Sequence, residues 1–416
     1  VNNLKNIFSK FFIIITFLII YNLTFNINNC ISQWMQMSNG LAVDKKINAL
    51  ISYGSSIYSG TINGIYKSTD NGESWNLSLL STSDIYCFAS VGGYLFAGRN
   101  AAGVCRTSND GINWSYSGLT SSNVYSLLTK GSLLFAGSQN AAYGGVYIST
   151  DYGGNWNNVS SGLQSSPVHS FTLSGENIFA GVQDSPFNGV YFSVSNGSYW
   201  INVTNDLSGF VYSLAVNGTN VFAGTSSNGI YISTNNGGNW TQTGLTGKAI
   251  YCILTGGNNV FAGTSSGVYL STDNGSNWIV KNDGFTVIPS VRALLISNNY
   301  VFAGTYNQSV WRRPLSDIIG INIISEFVPE KYFLSQNYPN PFNPSTNIRY
   351  ELPKTGFVKL VVLDALGREI ETLVNEKQTA GTYEATFNAS QYTSGVYFYR
   401  FTTDNFSETK KMLLIK

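Results

Sequence analysis

The chain has 416 residues, 43% of them hydrophobic and only 11% charged, with Lys+Arg 23 against Asp+Glu 22 and a net charge of +1. That balance excludes a basic nucleic-acid footprint, an acidic tail and charge-driven disorder, and the length points to about two or three domains. A single His and four Cys leave little material for a His-rich metal centre or a Ser-His-Asp triad, so no catalytic residue, metal or cofactor is expected.

At the N-terminus, Lys5 and Lys10 precede an apolar run from Phe11 to Ile20 that continues through Tyr21 to Phe25. A basic start followed by an apolar block shorter than the roughly 20 residues of a membrane-spanning helix has the form of a secretory signal peptide, assigned to residues 1–31. No small-x-small triplet precedes Cys30 to mark a cleavage site, and Ile27-Asn28-Asn29 lacks the small residues of a lipoprotein signal. The expectation is a mature protein with no transmembrane span that folds in an oxidising compartment.

Residues 32–317 are repetitive. A box of the form Ser-x-Asp-x-Gly-x-x-Trp recurs with its Trp at 75, 114, 156, 200, 240 and 278, spacings of 39, 42, 44, 40 and 38. A second marker precedes each box and occurs once more after the last: Tyr58-Ser59-Gly60, then Phe-Ala-Gly at Phe96, Phe135, Phe179, Phe222, Phe261 and Phe302. Seven markers against six boxes make seven units, one of them split. Each unit reads as four short strands by alternation and turn residues, as at Val124–Leu128, Leu133–Gly137, Val146–Thr150 and Asn155–Ser160. The seventh stops after Val310–Arg313, and its missing strand is expected from Gln33 to Ser38, where Trp34 followed by Asn39-Gly40-Leu41 mimics Trp156 followed by Ser161-Gly162-Leu163. Four-stranded units repeated radially form a β-propeller, here a seven-bladed one closed by its own N-terminal strand.

The box resembles the Asp-box (BNR) repeat of sialidases, sortilin-type receptors, xyloglucanases and photosystem II assembly factors. The resemblance implies a turn between a blade's third and fourth strands, on the face opposite the usual ligand mouth. The Asp position reads Asp70, Asn109, Asp151, Ser195, Asn235 and Asp273, so every member keeps a side-chain oxygen while half lack the charge. A catalytic or metal-binding carboxylate does not tolerate such exchange; an acceptor inside a turn does. Asp70, Gly72, Trp75, Trp114, Asp151, Gly153, Trp156, Trp200, Gly237, Trp240, Asp273, Gly275 and Trp278 are therefore expected to be structural.

Aligning the first strands of the units gives a column of Asn48, Tyr86, Tyr125, His169, Tyr212, Tyr251 and Arg292. The next column is small throughout: Ala49, Cys87, Ser126, Ser170, Ser213, Cys252 and Ala293. If the small column points into inter-blade packing, the larger one points the other way, toward the channel. Tyr86, Tyr125, His169, Tyr212, Tyr251 and Arg292 are the candidate ligand-binding residues, a shallow aromatic surface able to stack on sugars or peptide side chains, or else filler for the channel. The longest loops expected on that face are Ser138–Gly145 and Val182–Gly189, and Asp84, Asp184 and Asp206 are the carboxylates available for glycoside hydrolysis. The sialidase chemistry is missing: there is no Arg-Ile-Pro, and Arg99, Arg106, Arg292, Arg312 and Arg313 do not fall at equivalent positions. Cys87 and Cys252 sit in the small column, and Cys105 takes a position that is Tyr at Tyr147, Tyr191 and Tyr231.

After Asp317 the repeats stop; residues 318–331 read as a linker and 332–416 as a small antiparallel β-sandwich. The segment opens Asn337-Tyr338-Pro339-Asn340-Pro341-Phe342-Asn343-Pro344-Ser345-Thr346, carries the turn Leu363 to Arg368 and the strand Ser394 to Arg400, and closes on Lys410-Lys411-Met412-Leu413. These motifs resemble the type A C-terminal sorting domain of the type IX secretion system. That resemblance implies the type IX machinery as a partner, export to the cell surface or the medium, and release or anchoring of the cargo. The combined expectation is a non-catalytic extracellular propeller that recognises a glycan, peptide or protein and no nucleic acid. The alternatives are a sialidase- or xyloglucanase-like hydrolase, or an envelope assembly factor.

Overall fold

The computed structural model describes residues 33–41, 46–139, 144–163, 166–183, 188–256, 259–319, 321–325, 329 and 331–416. The signal-peptide segment with Cys30, and Asp184 in its loop, lie outside the described residues.

Among the described residues, 33–314 form seven four-stranded antiparallel sheets whose first strands contact one another in a closed ring. Six sheets run in chain order, from Ile47–Leu80 to Ile250–Val280; the seventh orders Met35–Gln36, Val310–Pro314, Tyr300–Thr305 and Val291–Ser297 from rim to centre. The fold is a seven-bladed β-propeller whose last blade is completed from the N-terminal side. Met35 pairs with Arg312 and Gln36 with Trp311. Trp34, 2% exposed, donates its indole N–H to Lys281 O at 2.6 Å and stacks on Phe285 at 5.1 Å.

The two recurring motifs hold the blades together. In every box the side-chain oxygen at the Asp position accepts the backbone N–H four residues on: Asp70 from Ser74, Asn109 from Asn113, Asp151 from Asn155, Ser195 from Tyr199, Asn235 from Asn239 and Asp273 from Asn277, at 2.8 to 3.2 Å. An amide or hydroxyl serves there as well as a carboxylate. Where the carboxylate is present the bond favours its charged form, and the Asn155 N–H holds the Asp151 carboxyl down to about 2. The box Trp reaches back to the preceding blade's last strand, with Trp156 Nε1 donating to Ser117 O at 2.7 Å and Trp240 Nε1 to Val203 O at 2.7 Å. Trp34 makes the sixth such tie. Trp278 is the exception; its buried indole N–H is unpartnered, facing the bulged outer strand Thr241–Gly244.

The Phe of every Phe-Ala-Gly marker is fully buried, and all but Phe261, whose next blade has no box, lie beneath a box glycine of the next blade, as Phe96 does beneath Gly153 and Phe302 beneath Gly72. The marker glycine is where neighbouring sheets touch. A Cβ on Gly98 would lie 2.7 Å from Val124 O, and one on Gly304 2.6 Å from Ile47 Cγ2, the contact that closes the ring.

The C-terminal unit is a sandwich of two four-stranded sheets around Tyr350, Tyr383, Phe387, Tyr399 and Phe401. The proline-rich opening is fixed to it: Phe342 is buried, and Asn337, 2% exposed, donates to Thr346 Oγ1 at 2.9 Å. One expectation changes. Ile321–Ser325, inside the segment read as a linker, is an edge strand antiparallel to Gly381–Asn388; its run of isoleucines carries the β-branched signal of a strand. Glu369–Gln378, absent from the sequence reading, is also a strand, one whose even mix of charged and apolar residues hides its period.

Candidate functional site

The first strand of every blade carries a β-bulge at one and the same place. The register skips a residue between Ile47 and Ala49, Ile85 and Cys87, Val124 and Ser126, Val168 and Ser170, Val211 and Ser213, Ile250 and Cys252, and Val291 and Ala293. The skipped residues are Asn48, Tyr86, Tyr125, His169, Tyr212, Tyr251 and Arg292. A bulge bends the strand and re-aims the side chain of its unpaired residue. Here all seven line one cavity of 280 Å³ at the channel, with Lys46 and Gln183. Each flanking β-branched residue, such as Val124 or Val168, is wholly buried between blades. The small column does inter-blade work: Ser126 Oγ donates to Val168 O at 2.8 Å, Ser213 Oγ to Ile250 O at 3.2 Å and Cys87 Sγ to Val124 O at 3.6 Å. The sequence separates the two columns by period two; in the structure it is the bulge that separates them.

The ring is not a set of free aromatic faces. Tyr86 and Tyr125 lie 5.1 Å apart, Tyr125 stacks on His169 at 4.1 Å, Tyr212 stacks on Tyr251 at 5.7 Å, and the Arg292 guanidinium sits 3.6 Å over Tyr251. With faces spent on one another, the ring offers a ligand hydroxyls, Asn48, the Arg292 guanidinium and Lys46. Tyr125 OH donates to Gln139 Oε1 at 2.8 Å, Asn48 donates to Ile85 O at 3.1 Å, and Lys46 pairs with Asp84 at 3.6 Å. Burial pushes the Tyr86 phenol up to about 12, helped by the Asp84 charge, and raises the Tyr125 phenol as well, so both stay neutral donors at physiological pH.

Burial also pulls His169 down to about 4 from its ordinary 6.5. The folded chain therefore refuses a proton that the unfolded chain accepts, and stability falls as pH drops from 6.5 to about 4 and is flat in this respect below it. For a half-buried ring the expected loss is about 1–3 kcal/mol. Chemical denaturation across that window should show a shallower loss for His169→Tyr, the residue most of the ring carries; equal slopes would contradict the assignment.

The remaining candidates are placed as follows. Among the described residues no carboxylate lines the ring cavity; Asp84 is engaged with Lys46, and Asp206 is exposed on an inter-blade connection. Of the five propeller arginines only Arg292 reaches the cavity. Arg312 pairs with Glu73 at 2.6 Å, Arg313 with Asp283 at 3.8 Å, and Arg106 donates to Tyr152 O and lies 4.8 Å over Tyr94. Cys87, Cys105 and Cys252 are free thiols, and burial raises Cys105 to about 11 and Cys252 to about 12, which keeps both protonated. No helix among the described residues is long and apolar enough to cross a membrane.

Residues 336–416 match the family described as the secretion system C-terminal sorting domain. The C-terminal sandwich is a secretion sorting domain. Its presence marks the chain as an exported cargo. None of the curated proteins matches the chain in sequence. Among solved structures, YCF48 from Cyanidioschyzon merolae is 13% identical over 68% of this chain and 98% of its own, with a TM-score of 0.54. The extracellular domain of the BT4673 hybrid two-component system from B. thetaiotaomicron is 15% identical over 78% of this chain and 45% of its own, with a TM-score of 0.57. YCF48 bound to D1 peptide gives 14% identity over 68% of this chain and 94% of its own, with a TM-score of 0.53. At these identities the likeness is one of fold. The matched segment begins at Gln336, ahead of the proline-rich motif and behind the edge strand Ile321–Ser325 that the sorting domain adds to its sheet.

Proposed function

We propose that this protein is a recognition propeller, exported through the type IX secretion system to the cell surface or medium, which holds its ligand at the bulge-lined mouth. The observation that carries the reading is the convergence of seven unpaired bulge residues on one cavity. Packing alone does not require them there: the column on either side already seals the blades. A lining of hydroxyls, one imidazole, one guanidinium, one ammonium and two carboxamides suits hydrogen bonding to a peptide or glycan better than hydrolysis, for which two carboxylates about 5 to 9.5 Å apart are needed. The precedent of a propeller of this fold solved with a peptide bound favours peptide libraries as the first screen.

The test is a peptide array and a glycan array probed with the full chain, followed by Tyr86→Phe, Tyr212→Phe and Arg292→Gln. The two tyrosine variants remove a hydroxyl and leave the ring stacks intact, while Arg292→Gln removes the charge and its stack on Tyr251. Affinity for whatever is captured should fall about tenfold per variant, roughly 1.4 kcal/mol, with the unfolding midpoint unchanged. Unaltered affinity would make the ring mere channel filling.

A further inference from the structure

The seven blades differ most at one place on the outer flank of blade two. The third-strand column reads Tyr66, Cys105, Tyr147, Tyr191, Tyr231, Tyr269 and Trp311, large everywhere but at Cys105. The position just after the marker glycine reads Thr61, Arg99, Ser138, Val182, Thr225, Thr264 and Thr305. Both exceptions fall in blade two, and both side chains leave the same face of the sheet, since Ala97 pairs with Cys105 and Arg99 with Gly103. The lost phenol leaves a cavity of 350 Å³ lined by Leu79, Leu80, Arg99, Cys105, Trp114 and Tyr116.

The Arg99 side chain enters that cavity without a counter-charge. It is 6% exposed, donates from Nη2 to Ala102 O and lies 4.8 Å over the Tyr116 ring, while its buried Nε has no partner. Among the described residues no carboxylate forms an ion pair with it. A buried guanidinium without a counter-charge is costly, and such groups are otherwise paired. The other blades do without the charge: Thr61, Thr225, Thr264 and Thr305 donate from their hydroxyls to a carbonyl three or four residues on, at 2.8 to 3.0 Å.

We propose that this cavity is a second binding site, and that it takes a small monocarboxylate with an apolar body. The guanidinium matches a carboxylate edge to edge through two parallel hydrogen bonds. Leu79, Leu80 and the Trp114 ring accept the apolar part, and Tyr116, 76% exposed, forms the outer wall. One cation with no ammonium beside it in the lining balances a single negative charge, which favours a carboxylate over a phosphate dianion.

The probe is 3-phenylpropionate, titrated into the full chain by calorimetry against 3-phenylpropionamide and inorganic phosphate. Saturable binding of the acid at millimolar concentration is expected, about tenfold tighter than the amide and tighter than phosphate. The double variant R99T/C105Y gives blade two the Thr61 and Tyr66 pairing of blade one, so it should fold as that blade does and lose the acid altogether. Arg99→Gln, which keeps the cavity open, should bind acid and amide alike. Equal affinity for acid and amide in the parent chain, preference for phosphate, absence of saturable binding, or acid binding that survives in R99T/C105Y would each overturn the proposal.

Discussion

Replacing Trp34 by Ala should cost about 3–5 kcal/mol of propeller stability, the largest effect of any single side chain outside the C-terminal sandwich. Three contacts go at once: the burial of the indole, its stack on Phe285, and the hydrogen bond to Lys281 O, which is left without its donor. The indole is also the main side-chain tie between the Met35–Gln36 segment and blade six, since the strand itself is two residues long and exposed; the backbone bond from Trp34 N–H to Asp283 O at 2.9 Å remains in the variant. Its loss uncovers the edge of Val310–Pro314, a row of unpaired N–H and C=O groups open to another chain. Denaturant unfolding should therefore show both a lower midpoint and concentration-dependent aggregation, whereas Met35→Ala, 37% exposed, should stay within about 1 kcal/mol. A Trp34→Ala protein as stable as its parent would mean the N-terminal strand does not close the ring.

Gly137→Ala is expected to destabilise by about 2–3 kcal/mol, though it adds one methyl group. The new Cβ would lie 2.3 Å from Ser126 Oγ and 2.5 Å from Val168 O. The first of these is a side chain, but it is bonded to the second at 2.8 Å, and the second is backbone of the next blade. Neither can yield without spreading two sheets. Gly131→Ala supplies the contrast: at φ +58 it meets nothing within 4 Å, so only the backbone strain of about 1 kcal/mol applies. Comparable losses for the two substitutions, by equilibrium denaturation, would show that close blade approach is not what the Phe-Ala-Gly marker secures.

These cases indicate what a sequence of this kind makes legible. The repeat period, the split unit and the box series are written in residues that recur, so the ring, its closure by Trp34 and the turn role of the Asp position could all be read before any coordinates. The mouth residues could be picked out by alignment, but not the bulge that aims them, because a bulge is one extra residue with no spelling of its own: Asn, Tyr, His and Arg all occupy it. Ile321–Ser325 was missed because a change of composition after Asp317 reads as a boundary, while strand pairing depends on a partner some 60 residues away. The blade-two cavity is legible as two departures from pattern, Arg99 and Cys105, whose meaning appears only when they are found on one face.

A two-ended blade also sets a timetable. As the polypeptide threads out, six wedges can assemble in succession, but the leading strand has nothing to pair with until Val310–Pro314 emerges. The sorting domain follows within about two dozen residues of that strand. The sorting domain thus lies beyond the last strand the ring needs, so a chain cut short before its circle can close also lacks that domain.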